Sequence, residues 1–301
     1  MSLTEILSHP EVAAEFNKYI RVPSPQPQAA ATMVAPPRYH YSYALVGTAF
    51  DYCLRFCIAT CNQGLVAEQP WVAEIAVKLM ECEEEELPPG LSLEQARKGV
   101  ARARELYREF LRTKVFTRQL ARAALYLAAL DKAYRTGPET VVVDYLRAPL
   151  RYEVEDCMRL VRAVPREMII AKSRAALNPT FGEASLLVHG ADADFVIDDT
   201  LIDIKTTKYY QVTAAQLHQL VGYRMLLAAC EEGGSTASGA PTVTHGGIYF
   251  SRHAKLERFR YADLIDRREF LTLSKWFIDY VSDDDTERKT LVRRVESVEL
   301  F

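Results

Sequence analysis

The stretch ADADFVIDDTLIDIKTTK (residues 191–208) reads as two short apolar strands that also carry several charged side chains. Asp198 and Asp199 between these strands predict a two-residue hairpin turn. With that turn, Asp194 on the first strand faces Asp203 on the second. Two carboxylates directly opposite each other repel unless a cation lies between them. The pattern therefore indicates a cation site at this hairpin.

The same register places Asp192 opposite Lys205, and all four charged side chains are expected on one side because strand residues two apart share a face. A hard ion such as Mg²⁺ or Mn²⁺ takes oxygen ligands from one or two carboxylates and keeps several waters. Lys205 would hold a negatively charged oxygen or help to orient a metal-bound water. These parts suit hydrolysis of a phosphodiester. The alternative interpretation is a sheet edge with one solvated face.

The segment after the hairpin has helical periodicity, and in it Gln219 and Tyr223 stand four apart, so they share a face. The order of Asp194, a D-I-K run at residues 203–205 and this Q-x-x-x-Y resembles the PD-(D/E)XK nuclease superfamily, specifically its RecB-like branch. Members of that branch carry an acidic residue, a D/E-x-K strand and a helical Q-x-x-x-Y. Either Asp192 or Asp194 matches the leading acidic residue, and the position opposite the D-I-K run favours Asp194.

The RecB-like branch also has an earlier helix, in which a glycine is followed four residues later by a histidine of the metal site. The run GTAFD, from Gly47 to Asp51, resembles that element, with Asp51 where histidine is usual. Aspartate is a competent ligand for a hard ion. The alternative for Asp51 is an ion pair with a nearby arginine.

The resemblance implies a mixed α/β fold with a restriction-endonuclease-like core, in which a central mixed sheet is flanked by helices. It also implies metal-dependent cleavage of nucleic acid, usually DNA, in repair or phage defence; RNA stays open as a substrate, and other proteins of a nuclease or defence complex are expected partners. The implied catalytic residues are Asp194, Asp203, Lys205, Gln219 and Tyr223. The implied metal ligands are Asp51, Asp194, Asp203 and the Ile204 carbonyl, with Asp192 as the further candidate. The alternative function is a nuclease-fold nucleic-acid-binding or scaffolding subunit with little activity alone.

The chain divides into a lead-in and one large domain. Residues 1–42 are expected to be partly irregular, because five prolines fall between residues 21 and 37. Residues 43–301 are expected to form the nuclease domain, with a helical insertion at about 64–140. Residues 43–62 predict a largely buried helix.

The second half of the chain carries the predicted strands. They are SLLVHGADADFVID (185–198), LIDIKTT (201–207) and GIYFSRH (247–253). Residues 212–232 predict the helix between the last two, and residues 264–281 a C-terminal helix. This order predicts two or three antiparallel strands, a helix and one more strand.

Basic residues concentrate between residues 94 and 122, where nine Lys or Arg stand against three Glu. Two sets recur at spacings of about four residues and form stripes: Arg104, Arg108 and Arg112, then Lys114, Arg118 and Arg122. Such stripes suit contact with a phosphate backbone, and a solvated helix exterior is the alternative. Arg252, near the end of the last strand, would reach a phosphate if that strand lies beside the D-I-K strand; a surface ion pair is the alternative.

Composition excludes several classes of protein. The net charge of −3 and the pI near 6.1 argue against a protein that coats nucleic acid by bulk charge. No apolar run approaches the roughly 18 residues needed to cross a bilayer, and no signal peptide is evident, so a cytoplasmic protein without a membrane partner is expected. Six cysteines are too few for a disulfide framework, and the late cysteine group of iron–sulfur members of the branch is missing, so no cluster is expected.

Overall fold

The computed structural model describes residues 2–23, 32–37, 42–67, 69–82, 87–148, 150–188, 190–230 and 242–298. The helices of the first half are α1 (Leu3–Ser8), α2 (Pro10–Tyr19), α3 (Tyr43–Cys61), α4 (Val72–Cys82), α5 (Leu93–Thr113), α6 (Arg118–Thr136), α7 (Val143–Arg147) and α8 (Arg151–Ala163). Those of the second half are α9 (Glu183–Leu186), α10 (Ala214–Cys230), α11 (Tyr261–Leu264), α12 (Arg267–Val281) and α13 (Asp285–Ser297). The strands are β1 (Ala175–Leu177), β2 (Phe195–Ile197), β3 (Thr200–Lys205), β4 (His245–Phe250) and β5 (Lys255–Arg260).

The strands form one five-stranded mixed sheet in the order β1-β2-β3-β4-β5. Every neighbouring pair is antiparallel except β3 and β4, which run parallel. A parallel pair needs a crossover connection, and α10 lies in the segment that joins these two strands. The expected mixed α/β fold is confirmed at this level, whereas the restriction-endonuclease-like core stays a prediction.

Helices cover both faces of the sheet, and the alternation of side chains along each strand assigns every residue to one layer. Phe195, Ile202 and Tyr249 face the cluster that contains α3 to α6 and α8. Their strand neighbours Val196 and Leu201 face the cluster that contains α1, α2, α10, α12 and α13. The D-I-K strand is therefore buried from both sides, which fixes which way each of its charged residues points.

The predicted hairpin register is confirmed. Phe195 pairs with Ile202 and Ile197 with Thr200, which leaves Asp198 and Asp199 as the turn. Asp198 takes a left-handed conformation with a φ of 51°, and its carboxylate accepts hydrogen bonds from backbone N–H groups of residues 172–174. These bonds stabilise the tight turn and with it the register.

The predicted pairing of Asp192 with Lys205 is wrong. The ladder between β2 and β3 ends at Phe195, so neither Asp192 nor Asp194 is part of it. Asp192 forms an isolated bridge with Thr180, on the other side of the strand. The backbone of Asp192 pairs with the segment that follows β1 and not with the end of β3, and the chain bends between Asp192 and β2.

Several element predictions need correction. Residues 185–188, predicted as the start of a strand, lie in and after the short helix α9, because the N–H of Phe181 and the carbonyl of Ala191 bind the Ser185 hydroxyl and close this segment into a turn. The partly irregular lead-in contains α1 and α2, and Ser2 with Glu5 forms a capping box that the sequence displays. Strands β1 and β5 and helix α13 were also not predicted. The proposed domain boundaries stay a prediction.

Helix α3 is the one helix among the described residues that is long and apolar enough to cross a membrane, which the sequence prediction had excluded. Its most apolar window is 61% buried inside the protein. Asp51 and Arg55 also form an ion pair along it. This burial is consistent with the core helix of a soluble protein.

Candidate functional site

The carboxyl end of β3 brings the D-I-K run against α10. The Lys205 ammonium lies 2.8 Å from Oδ2 of Asp203, and it donates a hydrogen bond to Oε1 of Gln219 at 3.0 Å. Gln219 in turn donates from Nε2 to the Tyr223 hydroxyl at 2.8 Å. Four of the five predicted catalytic side chains therefore form one connected polar network between the sheet and α10.

The N-terminal helix α1 supports this network from outside, which sequence reasoning missed. Gly222 of α10 lies against Leu3, where an added Cβ would be 3.4 Å from the leucine methyl groups. Thr4 Oγ1 lies 3.5 Å from Nε2 of Gln219. The lead-in thus fixes the position of α10 and contacts a predicted catalytic side chain.

An open cleft of about 460 Å³ lies between α3 and the end of β3. The residues that line it are Tyr43, Ala44, Gly47, Thr48, Asp51, Arg135, Asp194, Ile204 and Thr206. A Cβ added at Gly47 would lie 3.8 Å from the Thr206 Cβ, so α3 approaches the strand end closely. Three of the four predicted metal ligands, Asp51, Asp194 and Ile204, therefore line one space.

Asp194 lies in the bend before β2, where its carboxylate accepts a hydrogen bond from the Ile204 N–H at 2.5 Å. Burial raises the pKa of Asp194 well above its ordinary value, and the charges of Asp203 and Asp51 raise it further. Burial also raises the pKa of Asp203, against the opposing effect of Lys205. The carboxylates thus share a desolvated region that holds too little positive charge to offset their burial and repulsion.

Asp51 forms an ion pair with Arg55, one turn further along α3. Its other oxygen, Oδ1, is buried and accepts no hydrogen bond from any residue that the structure describes. Burial raises the pKa of Asp51, Arg55 opposes that rise, and the charge of Asp192 adds to it. The ion pair with an arginine that was the alternative for Asp51 is present, and Asp51 also lines the cleft, where its role as a metal ligand stays a prediction.

Comparison of the chain with protein-family models, with curated proteins and with solved structures found no match. The resemblance to RecB-like nucleases therefore rests on the residues themselves. Their arrangement adds the network of Asp203, Lys205, Gln219 and Tyr223 to what the sequence order had suggested.

The donors of the site fit a hard divalent ion by their chemistry. Carboxylate and carbonyl oxygens are the ligands that Mg²⁺ and Mn²⁺ take, and Asp51 Oδ1 is a buried oxygen without a hydrogen-bond donor among the described residues. No three His, Cys, Asp or Glu side chains in the described ranges stand close enough together to form a metal-binding group. Each carboxylate instead has a partner of its own: Asp51 pairs with Arg55, Asp194 accepts from the Ile204 N–H, and Asp203 pairs with Lys205.

Two arginines of the predicted basic stripes are bound inside the protein. The Arg104 guanidinium stacks 3.7 Å above the Trp71 ring and donates two hydrogen bonds of 2.6 Å to Glu74. Arg122 donates to the backbone carbonyls at the end of α7, including that of Ala148 at 2.6 Å. Both guanidiniums already bind acceptors of the protein itself, and their contact with a phosphate backbone stays a prediction.

The other four residues of the predicted basic stripes are exposed on the surface. Arg118 pairs with Glu155, and Lys114 donates to the Thr60 carbonyl at 3.2 Å. Arg108 and Arg112 are exposed. A nucleic-acid contact by these four stays a prediction.

Arg252 is not a phosphate-binding residue. Its side chain is 1% exposed, and it donates two hydrogen bonds to Asp156, at 2.9 and 3.0 Å, and a third to the Ala35 carbonyl. Arg252 does form an ion pair, as the alternative interpretation expected, but its partner is Asp156 on α8 and the pair is buried instead of lying on the surface. The partners are far apart along the chain, so spacing could not reveal the pair.

Proposed function

We propose that the protein is a divalent-metal-dependent nuclease that hydrolyses phosphodiester bonds of DNA, in repair or phage defence, on a restriction-endonuclease-like core of the RecB-like kind. The observation that carries the proposal is the polar network in which Lys205 bridges Asp203 and Gln219. The D-x-K strand and the Q-x-x-x-Y helix are consecutive elements, and the packing of the helix on the sheet brings the Lys205 ammonium into hydrogen-bond contact with Gln219. Asp194 adds a second carboxylate beside Asp203.

The residues divide into those that would hold the ion and those that handle the substrate. Asp194, Asp203 and the Ile204 carbonyl would hold Mg²⁺ or Mn²⁺, with Asp51 as the further ligand. When bound, the ion supplies charge neutralisation at the phosphate and a water of lowered pKa. Lys205 would donate to the attacking water or to the oxygen on which charge develops.

Gln219 and Tyr223 act on Lys205 and not on the substrate directly. Gln219 accepts a hydrogen bond from the Lys205 ammonium, and the Tyr223 hydroxyl accepts one from Gln219. This chain restricts the rotamers of a long side chain that would otherwise be free. Both are therefore positioning residues in this mechanism.

Cleavage of linear and circular, single- and double-stranded DNA by the purified protein, with Mg²⁺ or Mn²⁺, tests the proposal. Lys205→Ala and Asp203→Asn are expected to lower the rate at least ~100-fold, because each removes a group needed in the transition state. Asp263→Asn is the matched control, since that carboxylate is exposed on α11. Equal cleavage by Lys205→Ala would identify a contaminating nuclease and refute the assignment. RNA substrates in the same assay establish whether the activity is confined to DNA.

Metal binding gives a readout that does not depend on cleavage. An ion that binds only the folded state increases the free energy of unfolding, by about 2.7 kcal/mol at a hundredfold excess over Kd. The unfolding temperature rises as a result. We expect Mn²⁺ to stabilise the native protein and to stabilise Asp203→Asn much less. Identical shifts in both proteins would place the ion elsewhere.

A second candidate is a nucleic-acid-binding or scaffolding subunit of a nuclease or defence complex, with the nuclease fold and little activity alone. It is favoured by the ion pair between Asp51 and Arg55, which stands where the branch has a metal-binding histidine. Tight DNA binding without cleavage and without a metal-induced shift would select this candidate.

A further inference from the structure

Arg135, in the last turn of α6, lines the same cleft as Asp51 and Asp194. Its side chain is exposed, and it forms no ion pair and no hydrogen bond with any residue within the described ranges. An unengaged guanidinium thus stands at a cleft whose other charged lining groups are carboxylates.

The packing of α6 on α3 explains how the arginine comes to this place. Asp131 lies one turn before Arg135 and therefore shares its face of α6. The buried Asp131 carboxylate accepts a hydrogen bond of 2.5 Å from the Tyr52 hydroxyl of α3. The helix ends just after Arg135, where Gly137 takes a φ of 97°. The last turn of α6 is thus anchored beside the cleft-lining residues of α3.

The other cations around the cleft are already committed. The Lys205 ammonium contacts Asp203 and Gln219, and the Arg55 guanidinium pairs with Asp51. A phosphodiester that entered this space would meet carboxylates first and would be repelled by them. Only Arg135, among the described residues that line the cleft, brings a positive charge with its donors available.

A guanidinium suits this task better than an ammonium would. It presents five N–H donors in a fixed planar fork, and that fork matches two oxygens of one phosphate. Such charge-assisted bidentate bonds are roughly twice as strong as neutral ones. They read the backbone and not the base, so the contact carries no sequence preference.

We propose that Arg135 is the phosphate-binding residue of the cleft, donating from its guanidinium to the non-bridging oxygens of the phosphodiester that lies against Asp194. This inference rests on the proposed nuclease function and deepens it. The predicted helical insertion then supplies the phosphate contact, whereas α3 supplies the Asp51 carboxylate and the segment before β2 supplies that of Asp194. The two layers together make one site.

Equilibrium binding of a fluorescein-labelled DNA oligonucleotide, followed by anisotropy in EDTA over a series of salt concentrations, tests the inference without cleavage. The variants are Arg135→Gln and Arg135→Lys, with Arg293→Gln on α13 as the matched control, because that arginine is also exposed. Each phosphate contact contributes about 0.7–0.9 to the slope of log K against log salt. We expect Arg135→Gln to lower the slope by about that amount and to weaken binding several-fold. Arg135→Lys should keep the slope and lose part of the affinity, because the charge remains and the bidentate fork does not.

The outcomes separate this inference from the function on which it rests. If the native protein binds and cleaves DNA, and Arg135→Gln binds with an unchanged slope and affinity, the role of Arg135 is refuted and the nuclease stands. If the native protein neither binds nor cleaves DNA, the proposed function fails, and the inference fails with it. An unchanged urea midpoint for Arg135→Gln shows that any loss of binding is not a loss of folding.

Discussion

The charged groups at the cleft and those on the neighbouring helices α5 and α6 differ in whether the protein itself provides partners that offset their charge. Asp51 and Asp194 line the cleft, and Asp203 lies near enough beside it that the charges of Asp203 and Asp51 both add to the rise in the pKa of Asp194 that burial causes. On α5 and α6, Arg104 and Arg122 each meet acceptors that the protein itself provides. A charge that is satisfied by its own chain needs no ligand. Like charges held close together in a desolvated space are costly, and they therefore indicate a candidate binding site for a ligand of opposite charge.

The largest expected effect concerns the buried ion pair between Arg252 and Asp156. Replacing Arg252 by Met leaves the Asp156 carboxylate buried without its bidentate partner. We expect the free energy of unfolding to fall by about 3–5 kcal/mol, measured by urea denaturation. If instead the protein kept its stability and lost DNA affinity, Arg252 would belong with the ligand-binding groups.

A double variant sharpens this result. Arg252→Met combined with Asp156→Leu removes both charges from a site where the arginine is 1% and the aspartate 6% exposed. A buried pair replaced by apolar residues of similar volume is often neutral for stability. The double variant should therefore recover most of the loss, which a phosphate-binding role for the arginine would not explain.

An intermediate effect is expected at Asp131, the buried carboxylate that links α6 to α3. Burial raises its pKa from 3.8 to about 6. The folded state therefore disfavours the ionised form, so the contribution of Asp131 to stability is highest below about pH 4 and falls as the pH rises through 6. Asp131→Asn keeps an acceptor for Tyr52 and does not titrate. The variant should gain on the native protein by about 1–3 kcal/mol between pH 4.5 and 7.5, measured by urea denaturation at both values.

Parallel stabilities of the two proteins over that pH range would contradict this prediction. Asp263→Asn, at an exposed position, is the control, because its replacement should leave the pH dependence unchanged. A positive result would show that a carboxyl outside the cleft also has a raised pKa, with burial as the main cause and the charge of Asp51 as a minor one. It would then be the mutual repulsion of the cleft carboxylates, and not their burial, that distinguishes the site.

The sequence was sufficient where one local rule decides the geometry. The two-residue turn at Asp198 fixes the register, since a slip by one residue would turn every apolar side chain of the hairpin outward. Helical spacing likewise places Gln219 and Tyr223 on one face. The network at Lys205 follows once the helix packs on the sheet, so the core of the candidate site was predictable.

Helix spacing was insufficient where a face meets an unknown neighbour. It showed that Arg104, Arg108 and Arg112 share a stripe, but not that Glu74, thirty positions away, would bind the first of them. No feature of the sequence indicated a role for Arg135, because its place in the cleft depends on how α6 packs on α3. Partners at that separation depend on tertiary packing, which local periodicity does not contain.

The smallest expected effect compares two neighbours of the same stripe, Arg104 and Arg108. Arg104→Ala removes the stacking on Trp71 and both bonds to Glu74, whose pKa lies below its ordinary value because those bonds and the charge of Arg104 outweigh its burial. The loss in the free energy of unfolding should be about 1–2 kcal/mol. Arg108→Ala, at an exposed position, should change it by no more than about 0.5 kcal/mol. Urea denaturation measures both losses, and equal losses would mean that the two arginines contribute to stability in the same way. Unequal losses would show that two arginines one helical turn apart differ in their contribution, because among the described residues Arg104 meets an acceptor and Arg108 does not.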